Sequence, residues 1–227
     1  MADTNPYATK SDYAYLTLRE MILGGQVEPG AVLNQATLAR TIGISTTPLR
    51  EALRRLSTEG LVELGAHRDA RVTGLSAEEA RDLLEMRRSL DPLAVGLAAE
   101  RRTRDDIRRI REAAVAVSPL PERPAAHDLD AHRRFHAALY GASHNELLIH
   151  TLDGLWDKAD RYRRAALPDR TRDERDEKAH EHVALVDAVV AGDSEGASTL
   201  MLRHIDTSLG AKAAARLAAR AHPSASA

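Results

Sequence analysis

The stretch GISTTPLREALRRL, residues 43–56, decides how the first third of the chain folds. Ser45 and two threonines offer side-chain oxygens to cap a helix, and Pro48 sits in its first turn, where a missing N–H costs nothing. Leu49, Ala52, Leu53 and Leu56 then recur at i, i+3, i+4 and i+7, one buried stripe, which leaves Thr47, Arg50 and Arg54 facing outward. Working back, Gly43 breaks a helix expected over Gln35 to Ile42, with Leu38 and Ile42 inward. VEPGAVL turns at Pro29-Gly30, and an earlier helix runs from Asp12 to the stop at Gly24-Gly25, with Tyr15, Leu18, Ile22 and Leu23 near one face. Working forward, residues 61–64 and 70–73 flank a polar turn at His67 to Asp69 and predict a two-stranded wing.

Three helices and a hairpin in this order make a winged helix-turn-helix. In that geometry Ser45, Thr46 and Thr47 reach phosphates or base edges, Arg50 forks onto guanine, and Arg54 lies further along the same exposed face. His67 and Arg68 at the wing tip reach backbone or minor groove. The same three-helix module also serves as a protein-contact or dimerisation domain. Charge does not choose between them: the chain carries a net −2, and residues 1–75 hold eight Lys and Arg against eight Asp and Glu.

Composition bounds the remainder. Over 227 residues, 43% hydrophobic content suffices for a packed core, and only 3% aromatic content with abundant Ala, Leu and Arg favours helices. The absence of cysteine excludes disulfides, thiolate metal sites and cysteine nucleophiles, so any metal must be held by His, Asp or Glu. No stretch reaches the length of a membrane span and the first ten residues lack a signal-peptide core, which predicts a cytoplasmic protein with no membrane partner.

From Ser76 the strand signal gives way to helical patterns. Ser76 caps a helix reaching about Arg101, with a kink or restart at Asp91-Pro92. Further helices are expected over 104–117, 125–142, 145–165, 171–191 and 194–220, separated by breaks at 118–124, Gly141 to His144, Leu167-Pro168 and Gly192-Asp193. The fold class is therefore mainly α: a flexible start over 1–11, a winged helix-turn-helix over 12–75, an all-helical bundle over 76–220 and a disordered tail over 221–227. The doubly charged run at 169–178 reads as a solvated helix start.

Two features of the bundle carry chemistry. His132 and His136, four apart on a helix, sit about 6 Å apart on one face, within chelating distance. His182 and His204 lie in or beside apolar stripes on two later helices, and bundle cores build metal sites from facing helices. Arg87 interrupts the stripe of Leu83 and Leu90, and a buried arginine demands an anion: a ligand, or an internal carboxylate, unless the side chain snorkels to solvent.

The segment LREMILGGQVEPGAVLNQATLARTIGISTTPLREALRRLSTEGLV resembles the DNA-binding domain of GntR-family bacterial regulators, and the helical remainder of the chain resembles the effector domain (FCD) of the FadR subfamily in its shorter, six-helix form. The resemblance implies a homodimeric transcriptional regulator, usually a repressor, that binds a double-stranded DNA operator and answers to a small carboxylate effector. It implies a divalent metal held by an Asp-x-x-x-His pair and two later histidines, matched here by His136, His182 and His204, with His132 at the aspartate position. It also implies Arg87 and Asn145 near the effector, although a helix cap explains Asn145 as well. Two further departures are Thr46, where the family usually has arginine, and Asp69, where it usually has glycine.

Exchanging a carboxylate for a neutral imidazole favours a transition ion, Zn or Ni foremost, over Mg. Alternatively His132 turns to solvent and three histidines suffice, or the site is empty. Two rival functions remain at this point: a regulator answering to metal alone, and a metalloenzyme, for which no HExxH pattern supplies a general base.

Overall fold

The computed structural model describes residues 9–65, 69–117, 126–166 and 171–221, which excludes His67, Arg68, the breaks at 118–124 and 167–168, and the tail. The chain divides into two compact units, Met1–Leu75 and Ser76–Ala227.

In the first unit, α1 (Lys10–Leu23) begins two residues before the expected Asp12, because Thr9 accepts a hydrogen bond from the Asp12 N–H and so caps the helix earlier. It buries Ala14, Leu18 and Ile22, whereas Tyr15 stays half-buried and donates to Glu59. α2 (Gln35–Ile42) ends at Gly43, whose φ of 79° is a left-handed conformation that a side chain would strain. That residue turns the chain into α3 (Thr46–Thr58), whose buried face is the expected Leu49, Ala52, Leu53 and Leu56.

The sheet has one strand more than expected. β1 (Val32–Asn34) pairs antiparallel with β3 (Asp69–Val72), which also pairs with β2 (Val62–Leu64), giving the order β1-β3-β2 with Leu33 and Leu64 both opposite Ala70. Three residues with one buried side chain are too few to show a period of two, and Asn34 doubles as the α2 cap.

The second unit contains seven helices among the described residues: α4 (Ala77–Arg101), α5 (Arg104–Ala116), α6 (Ala126–Gly141), α7 (Glu146–Ala166), α8 (Arg172–Ala191), α9 (Ser194–Asp206) and α10 (Leu209–Ala221). The expected last helix, 194–220, is therefore two, divided at Thr207-Ser208, where Ser208 begins the next helix by accepting from the Ala211 N–H. α4 runs unbroken through Pro92, so the helix does not restart there. Its partner α9 is tied to it by two serines: Ser198 donates to the Pro92 carbonyl at 3.0 Å and Ser194 to the Gly96 carbonyl at 3.1 Å.

The α4–α9 approach depends on Gly96, where a Cβ would collide with Ser198 Oγ and stand 3.3 Å from Ser194 Oγ, two hydroxyls already engaged. We expect Gly96→Ala to destabilise the helical unit by about 1–3 kcal/mol, read by urea denaturation. An unchanged midpoint would show that the two serines move aside freely.

Candidate metal centre and its cavity

Four histidines converge inside the helical unit. α6 supplies His132 and His136 one turn apart, α8 supplies His182 and α9 supplies His204, and one nitrogen from each ring lies within 4.8 Å of the others. Ring centroids are 4.6 Å apart for His132–His136, 5.0 Å for His182–His204 and 5.2 Å for His136–His204. The helices place them here because their neighbours are core residues: Phe135, Leu139, Leu185, Met201 and Ile205 are all buried. His136, His182 and His204 are buried, and although part of His132 reaches the surface, its Nδ1 does not.

Hydrogen bonds fix which nitrogen each ring presents. His204 donates Nδ1–H to Glu181 at 2.7 Å, and Glu181 also accepts from Lys178 at 2.7 Å. Asp91 accepts from the Tyr140 hydroxyl at 2.8 Å, and that oxygen lies 3.4 Å from His136 Nδ1. In both rings the lone pair is thereby left on Nε2, the pattern in which a carboxylate behind a histidine orients it toward a metal. His136 Nε2, His182 Nε2 and His132 Nδ1 are buried without a hydrogen-bond partner. Leaving one such group unsatisfied costs about 1–3 kcal/mol, and three together fit a metal better than a packed core. All-nitrogen donors suit Zn, Ni, Co or Cu and disfavour Mg.

Burial pushes His132, His136 and His182 well below the ordinary imidazole value of 6.5. His204 is lowered for the same reason, against the opposing pull of Glu181. Glu181 itself is held at about 2: burial works against this, but His204 and Lys178 both donate to it. The rings are thus neutral when folded, whereas unfolded histidines take up protons near 6.5. The metal-free protein should hold this contribution to stability above about pH 6.5 and lose it progressively below. Glu181 acts only at much lower pH. Thermal melts of chelator-treated protein between about pH 7.5 and 5 should show a falling midpoint, and a flat profile would mean the rings are not buried neutral.

Beside the histidines lies a cavity of about 600 Å³, its open mouth included, lined by Arg87, Trp156, Arg163, Lys178 and the Thr207–Gly210 turn into α10. Arg87 is buried, stands 4.7 Å over the Trp156 ring and grips Asp91 through Nε at 3.2 Å and Nη2 at 2.6 Å. Burial would lower its pKa, but Asp91 and Tyr140 hold it above the ordinary arginine value. The internal carboxylate is therefore present at the same time as the cavity. Asn145 is not among the cavity-lining residues. It accepts from the Leu148 N–H at 3.2 Å and caps α7, so the cap explains it.

Asp91, Tyr140, Glu181 and Lys178 escaped the sequence reading. Asp91 had a signal, an i, i+4 pairing with Arg87, masked by the proline after it. The charged run at 169–178 corrects its reading as merely solvated: Lys178 reaches Glu181 and the His204 carbonyl, and Glu174 bonds Lys212.

In the first unit Ser45, Thr46, Thr47, Arg50 and Arg54 are all exposed. Ser45 occupies the α3 cap position yet makes no side-chain cap bond, and Arg50 donates to Gln35 at 3.1 Å. His67 and Arg68 lie outside the described residues, as does the side chain of Asp69.

Residues 10–72 match the model of bacterial regulatory proteins of the gntR family, and residues 82–207 match the FCD domain. The chain belongs to the GntR family. The LutR transcriptional regulator of Bacillus subtilis strain 168 is 30% identical over 82% of this chain and 93% of that protein. The Nta operon transcriptional regulator of Aminobacter aminovorans is 34% identical over 61% of this chain and 66% of its own length, so the match spans just under two thirds of that relative. Escherichia coli McbR/YncC shares the fold, with a TM-score of 0.74 at 23% identity, covering 95% of this chain and all of that one. The GntR relatives are transcriptional regulators rather than enzymes, and no described helix is long and apolar enough to cross a membrane.

Proposed function

We propose that this GntR/FCD protein is a homodimeric transcriptional repressor whose helical unit holds a divalent transition metal, zinc or nickel foremost, and binds a small carboxylate that alters operator binding. The observation that carries the reading is the set of four histidines with one ring nitrogen each within 4.8 Å of the others, three of which keep a buried nitrogen without a partner. His132, His136, His182 and His204 would hold the ion, which when bound supplies positive charge beside the cavity. Arg87, held by Asp91, places a guanidinium on the same wall.

On the DNA side, Ser45, Thr46, Thr47, Arg50 and Arg54 form an exposed face at the start of α3 suited to the major groove. Thr46 offers a hydroxyl where a longer cation would reach further, so each half-site forgoes an arginine contact worth about 1–3 kcal/mol. His67 and Arg68 remain our candidates at the wing tip.

A coupling of a few kcal/mol between effector and operator suffices to switch occupancy. Lys178 ties Glu181, the His204 carbonyl and Thr207 together, so a ligand in the cavity meets α8 and the end of α9 as one unit. The test is operator binding by metal-loaded and metal-free protein, with and without candidate acids. We expect an acid response that disappears with the metal. Operator binding that answers to metal alone would replace the effector with the ion itself.

A further inference from the structure

The cavity also specifies the charge of its ligand, an inference that rests on the four histidines holding a divalent ion. Four cations line it: Arg87, Arg163, Lys178 and Lys212. Each has a carboxylate partner: Asp91 at 2.6 Å, Asp160 at 3.4 Å, Glu181 at 2.7 Å and, bonded to Lys212, Glu174. Asp160 is shared with Arg133, but Arg133 has Asp157 at 2.6 Å, so the balance is unaltered. Four positive charges against four negative leave the protein wall neutral.

The ligand set adds nothing to offset the ion, since a coordinating imidazole is neutral and no carboxylate belongs to the four-histidine cluster. A divalent ion at that place therefore leaves two positive charges uncompensated in a largely buried site. Uncompensated buried charge is costly, and the inexpensive remedy is a ligand of matching opposite charge.

We infer that the cavity binds a dianionic small organic acid, with one carboxylate toward the histidine cluster and Arg87 and the other toward Lys178, Lys212 and the start of α10. The second pole has its own observation. Ser208, Leu209 and Gly210 at the amino end of a thirteen-residue helix line the cavity together with Lys178 and Lys212, on the wall formed by the turn after α9. A helix start and a lysine form a favourable setting for an anion. A monocarboxylate satisfies one pole and leaves the other.

The test titrates the metal-loaded full-length protein calorimetrically with malonate, succinate and glutarate, and with acetate, propionate and butyrate, at fixed ionic strength, measuring metal content before and after. The tightest dicarboxylate is expected to bind at least about tenfold more tightly than the tightest monocarboxylate. His132→Asp, which places one negative charge in the ligand set, should narrow that ratio while the metal is retained. Lys212→Met, which leaves the histidines untouched, should weaken dicarboxylates more than monocarboxylates. Equal affinities in metal-loaded protein, or dicarboxylates that merely strip the metal, overturn the dianion inference alone. Protein that takes up no metal overturns the metal-site reading, and the charge count with it.

Discussion

Replacing His136 with alanine is expected to lower metal affinity by on the order of 100-fold or more, the largest effect of any single change in the helical unit. His136 stands among the other three rings, with centroids 4.6, 5.4 and 5.2 Å from those of His132, His182 and His204. Its orientation is fixed from behind by the Tyr140 hydroxyl, itself tied to Asp91. Removing it takes away a central donor and leaves His132 and the pair on α8 and α9 without their bridge. The stabilisation that metal confers should shrink in proportion, because binding to the native state alone raises its stability by mass action. The metal-free variant should change much less, since the loss of packing is offset by the loss of a buried unsatisfied nitrogen. Metal content by mass spectrometry and competition with a chelator measure this directly. His150, exposed on α7, is the control: His150→Ala should keep its full metal complement. If His136→Ala kept it too, the ring would be no ligand.

Replacing Arg87 with methionine is expected to destabilise the helical unit by about 3–5 kcal/mol, because Asp91 is fully buried and would lose its cation. The cost comes from the stranded carboxylate rather than from the missing arginine. The double change Arg87→Met with Asp91→Asn should therefore recover most of the loss, since asparagine still accepts from Tyr140. Urea denaturation of the three proteins decides it. A single-variant cost below about 1 kcal/mol would mean the pair is solvated enough to be treated as a surface ion pair. The same variants separate structure from ligand binding: the double variant, refolded and stable, should still lack the Arg87 guanidinium that lines the cavity.

The parts of the fold legible in sequence were those with a long period or strong punctuation. The stripe Leu49, Ala52, Leu53, Leu56 and the stop at Gly43 placed α2 and α3 closely, because a helix of two turns or more repeats its signal. β1 was invisible since it is three residues long and its pairing with β3 is a tertiary fact. The division at Thr207-Ser208 has no Gly or Pro at the break itself, since Gly210 falls inside the next helix, and the alanine-rich run from Ala211 favours continuation.

The histidine cluster was readable for a related reason: each ring sits in or beside an apolar stripe, and stripes face the core. What stands behind the rings was not. Glu181 adjoins His182 in sequence but serves His204 on another helix, and only the packing of α8 on α9 brings them together. Lys178 likewise looked like one more charge in a solvated run until the turn after α9 came to lie over it.

X-ray absorption at the metal edge of the loaded protein tests the central claim most directly. Four histidine nitrogens at about 2.0–2.1 Å, with imidazole scattering and no protein carboxylate in the inner shell, is the expected spectrum for zinc. A shell dominated by oxygen, or a protein that takes up no metal after loading, would contradict it.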